Sequence, residues 1–134
     1  MLSRAGLLLV LLAWSVVRAQ GIPPVPSGHP RVYLRATDVA AIHQKTQLAE
    51  FSTAWSRVRS SDHPLAQAFR CVINGDSAAG DSAIDSALTD LRACTDARRP
   101  FNPMHIAACV YDWCYPRLTA QQRDAFVTEF ERIA

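Results

Sequence analysis

From Thr37 to the end of the chain, apolar side chains recur at near-helical spacing, and every run but the last is followed by proline or glycine. That spacing puts them on one stripe of an α-helix and not on alternate faces of a strand, so the chain is restricted to amphipathic helices packed stripe to stripe. Thr37 is placed to cap a first helix that carries Val39, Ile42, Phe51, Trp55 and Val58 and ends near Ser60 or Ser61. After Asp62-His63-Pro64 a second stripe bears Leu65, Phe69, Val72 and Ile73. Asn74-Gly75 stops it, with Gly75 suited to the left-handed residue that closes a helix. A third helix from about Ser77 presents Ile84, Leu88 and Leu91, with Ala79, Ala83 and Ala87 permitting close approach.

A second proline-bounded break, Arg98-Arg99-Pro100-Phe101-Asn102-Pro103, precedes a fourth helix expected over Met104 to Tyr115. It is apolar on several faces, which implies burial between neighbours. Pro116 ends it, and Thr119-Ala120-Gln121-Gln122 has the form of a capping box for a fifth helix carrying Phe126, Phe130 and Ile133. The fold class expected is all-α. Glu131-Arg132-Ile133-Ala134 holds no Gly, Asn or Pro to stop that last helix, so the expectation is an N-terminal piece of a longer protein. The alternative is a true terminus with a frayed last turn.

The beginning of the chain is of another kind. Arg4 stands ahead of the uncharged run from Ala5 to Trp14, and Val17 and Ala19 follow as small residues around Arg18. These are the basic, apolar and cleavage regions of an export signal over residues 1–19, with the cut between Ala19 and Gln20. The run falls short of the roughly 20 residues that cross a bilayer, which disfavours an uncleaved anchor. Residues 20–30 are rich in Pro and Gly and read as an extended leader, and His29 to Leu34 is expected to lie as a short strand against the first helix. The mature chain is then secreted or periplasmic, with no membrane segment once the signal is removed.

Of the 14 Lys and Arg, Arg4 and Arg18 leave with the signal, and the rest balance the 12 Asp and Glu. A neutral body argues against nucleic acid, which demands a basic face. Any acidic substrate would have to be recognised locally. No Ser-His-Asp spacing, phosphate loop, EF-hand or zinc spacing occurs, so no catalytic residue, metal site or cofactor is assigned.

Export would carry Cys71, Cys94, Cys109 and Cys114 to an oxidising compartment, where three pairings are open. A Cys71–Cys94 bridge needs a loop to bend back, and one between Cys109 and Cys114 would distort their helix; buried free thiols are the plainer reading. His29 and His63 precede proline and are expected to face solvent, and His43 is expected on a surface or in packing. His105, opening the fourth helix beside Asn102, has the make-up of an anion or sugar site, set against an ordinary capping or packing role. Trp113 is expected to pack, with sugar stacking as the alternative, and Asp112 to bond a neighbouring helix start or loop.

Three passages resemble the N-termini of heparinase II/III-like polysaccharide lyases. They are His29-Pro30-Arg31-Val32-Tyr33-Leu34 with Thr37-Asp38-Val39, the stretch from Phe69 to Leu91 around Asn74-Gly75-Asp76, and Ala107 to Tyr115 with Leu118-Thr119 and Gln122-Arg123. The resemblance implies that residues 31–134 form part of an (α/α) toroid of antiparallel helix hairpins, truncated at its C-terminal side. It also implies an acidic polysaccharide, such as heparinoid or alginate, as the partner, cleaved by β-elimination. The family's catalytic residues lie on later helices and a β-sandwich, and none maps onto this chain. Asn102, His105 and Trp113 are the residues expected at the substrate. A non-catalytic helical scaffold or glycan-binding module stays open, as does a toroid glycoside hydrolase, which would need two carboxylates across one cleft.

Overall fold

The computed structural model describes residues 28–95 and 101–134, without the side chain of Phe101. The signal, the Ala19/Gln20 cleavage position, most of the leader and Arg98 to Pro100 lie outside the described residues. Every regular element among the described residues is helical: α1 (Val39–Thr46), α2 (Ser52–Arg59), α3 (Pro64–Asn74), α4 (Ser77–Ala93), α5 (Phe101–Trp113) and α6 (Ala120–Ile133). Single 3-10 turns cover Ala36–Asp38, Ala49–Phe51 and Tyr115–Arg117.

The local signals for α3, α4 and α6 act as their chemistry dictates. Pro64 occupies the first turn of α3, where its missing N–H is no loss, and His63 Nδ1 accepts from the Leu65 amide at 3.2 Å. Gly75 closes α3 at φ 69°, and its N–H is donated back into the last turn. One residue later the Asp76 carboxylate caps α4 by accepting from the Ala79 amide at 3.1 Å. The connection is so short that α3 and α4 form a tight hairpin, and the small face of α4 lets them close. A Cβ on Gly80 would come within 2.6 Å of Cys71 Sγ. At α6 the capping box is complete, with Thr119 Oγ1 accepting from the Gln122 amide and the Gln122 carboxamide accepting from the Thr119 amide.

Two long-range contacts fix the helix directions. Arg117, just ahead of α6, makes a forked pair with Asp81 in the first turns of α4 at 2.8 and 2.9 Å. At the other end Arg132 donates to the Leu91 and Cys94 carbonyls at 2.7 and 3.1 Å, satisfying acceptors that the end of α4 leaves open. The helices α4 and α6 therefore run parallel. The C-terminal end of α5 adjoins the start of α4, so α5 is antiparallel to α4 and parallel to α3. Packing joins α3 to α4, α4 to α5 and α5 to α6, and also α3 to α5 and α4 to α6. A closed four-helix bundle would seat α6 against α3, yet those two share no comparable interface. The arrangement is an open, two-layered array, α3 with α5 in one layer and α4 with α6 in the other, and α1 and α2 rest on α3.

The core lies between the layers, with Ala68, Ala83, Ile84, Leu91, Ala107, Val110, Cys114 and Phe126 each almost wholly excluded from solvent. The apolar character of α5 has the expected cause, since it contacts α3, α4 and α6.

Four expectations need correction. The first long helix is two helices. Between Ile42 and Phe51 the apolar stripe lapses, Thr46 turns its hydroxyl back onto the His43 carbonyl at 2.7 Å, and Leu48 is extended at φ −80°, ψ 139°. Thr37 does not cap it, because it lies within a 3-10 turn and donates its hydroxyl to Asp38 at 3.3 Å. Asn102 and Pro103 do not break the chain ahead of the fourth helix. They form the first turn of α5, where proline costs no hydrogen bond. Nor is His29 to Leu34 a strand: Tyr33 takes φ 59°, outside the range of β-structure, and the segment's backbone bonds to side chains of α5.

Candidate functional site

An aspartate inside an apolar helix has to find donors, and Asp112 finds them in the segment from His29 to Leu34, which forms a strap across α5. The carboxylate accepts from His29 Nδ1 and from the Arg31 amide, each at 2.5 Å, and from the Val32 amide at 2.7 Å. Arg31 adds an ion pair at 3.7 Å. Next to it, Trp113 Nε1 donates to the Val32 carbonyl at 2.8 Å. Burial by itself would raise the pKa of Asp112. The Val32 and Arg31 amides together with His29 outweigh it and hold the carboxyl below the ordinary aspartate value.

His29 is the residue that sequence reasoning placed wrongly. Its side chain is only 10% exposed, not solvent-facing, and its ring stacks on Tyr115 with centroids 3.8 Å apart. Arg31 Nη2 donates to His29 Nε2 at 3.3 Å, which leaves Nδ1 to carry the proton toward Asp112. A histidine oriented by a carboxylate has the build of a general base. Here, however, Nδ1 is engaged by Asp112, Nε2 by Arg31 and one ring face by Tyr115, so the dyad acts as a clamp between the strap and α5. The signal that pointed to it was Asp112 itself, a carboxylate in an apolar surround that required a loop or helix start to supply donors. Tyr115 carries the clamp inward through Tyr111, at 5.6 Å, to Phe126 and Phe130.

Beneath the strap lies a cavity of about 420 Å³ bordered by His29, Cys71, Trp113 and Arg117. Trp113 is half-buried, its N–H is committed to Val32, and its ring meets Phe69 edge-on at 5.9 Å, as the packing expectation had it. Asn102 is exposed and His105 half-buried, one turn apart at the start of α5. Trp113 is near the opposite end of that helix, about 12 Å from His105 along the axis, so the three do not converge on one point. The strap links them. Val32 holds Trp113, while Tyr33, 76% exposed, sets its ring 5.5 Å from that of His105. A bulky residue at positive φ is costly, and the surrounding bonds of the strap hold it there.

Cys71, on α3, borders the cavity, and Cys114, just past the end of α5, is wholly buried in the core. The neighbouring Cys114 thiol lowers the Cys71 pKa, against burial and with the help of Arg117, while Cys71 and then burial raise that of Cys114. Burial, and secondarily Asp112, also pushes the Cys109 thiol up. All four cysteines are free thiols, three of them buried as the plainer reading had it and Cys94 half-buried. His43 bonds the Ile73 carbonyl at 3.1 Å, a packing role, and His63 caps α3 from an exposed position. Among the described residues no three or more His, Cys, Asp or Glu side chains gather as metal ligands do, and no helix is long and apolar enough to cross a membrane. Compared with protein-family models and with curated proteins, the chain matches none.

Proposed function

We propose that this chain supplies the first helices of an (α/α) toroid in an exported polysaccharide lyase that cleaves uronate-containing glycans by β-elimination, with the catalytic groups outside it. The observation that carries the reading is the clamp at Asp112. Two of the three passages that resemble the lyase N-termini, His29 to Leu34 and Ala107 to Tyr115, lie far apart in sequence, and they are bonded residue to residue through Asp112 and Trp113. A motif pair that shares one physical job is harder to obtain by chance than two helical fragments. The open two-layered array adds support, because repeated antiparallel hairpins with parallel neighbours in each layer are the building scheme of a toroid.

In this reading the elimination requires a positive or hydrogen-bonding group on the uronate carboxylate, a base for the acidic C5 proton and an acid for the departing glycosidic oxygen. This chain contributes the edge of the cleft. Asn102 and His105 present an amide and an imidazole at the start of α5, with the exposed Tyr33 beside His105. Trp113 serves the strap first.

Incubating the full-length protein with alginate, chondroitin and heparinoid chains should produce an unsaturated uronate that absorbs in the ultraviolet. Saturated reducing ends without that absorbance would point to a hydrolase, and binding without turnover to a glycan-binding module. Asn102→Ala and His105→Ala should raise KM at unchanged Tm. An unchanged KM with a lowered Tm would reject their place at the cleft.

A further inference from the structure

We propose that the strap carries a subsite for an acidic sugar, in which Arg31 and Arg35 receive the carboxylate of a uronate unit and Tyr33 covers the face of the neighbouring ring. The subsite rests on the uronate-glycan reading above and names the residues that recognise the charge. A recess of about 640 Å³ opens at this segment, and every described residue that lines it comes from residues 28–37. Arg31 and Arg35 both border it, and no Asp or Glu is among those described lining residues. Pro30 and Val32 add apolar surface, and Thr37 adds a hydroxyl. That hydroxyl donates to Asp38 at 3.3 Å, which turns its oxygen into an acceptor for a ligand. A uronate has the matching parts: a carboxylate for the guanidinium groups, a ring hydroxyl for Thr37, and a C–H face for Pro30 and Val32.

The two cations are prepared in different ways. Arg31 Nε stands 3.7 Å from Asp112 and its Nη2 3.3 Å from His29 Nε2, so the clamp sets this guanidinium in place before any ligand arrives. Asp112 offsets part of its charge. Arg35, just past the strap, is exposed and has no ion pair among the described residues, so its charge is the one a carboxylate meets uncompensated. Tyr33 stands two residues from each arginine. It is 76% exposed and sits at φ 59°, so a costly backbone conformation presents a large ring to solvent without burying it. The backbone is held on one side by the bonds of Arg31 and Val32 to Asp112 and Trp113, and on the other by buried Leu34. Strain of this kind collects at ligand-binding positions, and a rigidly held aromatic ring next to cations suits a pyranose face.

The full-length protein is titrated by calorimetry with oligosaccharides of alginate, chondroitin and heparinoid, each in native form and with its carboxylates reduced to alcohols. Ultraviolet absorbance of the same mixtures records any unsaturated product. At least one native chain should bind, and its reduced form about tenfold more weakly. Arg35→Ala should weaken that binding about three- to tenfold, whereas Arg57→Ala, which removes an exposed charge from α2, should leave it unchanged. Tyr33→Gly separates recognition from stability: glycine accepts φ 59°, so Tm should hold while binding falls about threefold or more. Equal affinity for native and reduced chains, or either strap variant binding like the parent, would overturn the subsite. Binding with the expected losses but no unsaturated product removes the lyase reading and leaves the subsite standing. Product formed with a KM that neither substitution moves removes the subsite and leaves the lyase reading. If no native chain binds, both fall.

Discussion

Replacing Asp112 with alanine tests how the strap is held. The carboxylate, 3% exposed, accepts from His29 and from two backbone amides. Hydrogen bonds to a charged group contribute about 1.5–3 kcal/mol each, and removing the acceptor leaves two amides with nothing to meet. The full sum is not lost, because the strap can lift and hydrate those amides. Lifting it sacrifices the burial of Pro30 and Leu34, the His29–Tyr115 stack and the Trp113–Val32 bond. The cheaper of the two routes costs about 3 kcal/mol, which lowers Tm by about 10 °C in a chain of this size. Urea and thermal melts followed by circular dichroism give the magnitude, and hydrogen exchange at the Arg31 and Val32 amides reports whether the strap has opened. A loss below about 1 kcal/mol with those amides still protected would refute the reasoning. The pH dependence has a definite sign. The folded pKa of Asp112 lies below its ordinary value of 3.8, so the unfolded chain takes up the proton first. The stabilisation is complete above that value and disappears as the pH falls through the folded pKa. The alanine variant should therefore lose less stability on acidification than the parent.

Two further substitutions probe the array itself. Gly80→Ala places a methyl group 2.6 Å from Cys71 Sγ and 3.1 Å from Arg117 Cδ, so it should destabilise by about 1–3 kcal/mol in a urea melt. An unchanged midpoint would mean that α3 and α4 are less closely apposed than described. Thr119→Ala removes one half of the capping box and should cost about 1 kcal/mol, with hydrogen exchange rising in the first turn of α6 and not elsewhere.

The local grammar of this chain was readable in advance because it depends on neighbours in sequence. Gly75 ends α3 since only a residue at ease with positive φ closes it in that way, and Thr119 with Gln122 caps α6 since their side chains reach donors three residues off. The apolar stripes likewise determined that the fold is helical, and the apolarity of α5 that it lies between neighbours. Where those signals were weak the outcome was decided by details of a few side chains, as at Gln47-Leu48, where a lapse in the stripe split one expected helix into α1 and α2.

The partners of buried polar atoms were not readable in that way, because they depend on which distant residues tertiary packing brings together. Asp112 announced that it needed donors, and the sequence did not say that they were His29, Arg31 and Val32. The short alternation from His29 to Leu34 suggested a strand, but a strand needs a second strand, and a carboxylate on α5 took up its amides instead. The parallel placement of α4 and α6 likewise depends on Arg117 and Arg132, which reach opposite ends of α4. Helices are written in short-range periodicity; the strap and the cavity beneath it arise from contacts that form only when the layers close.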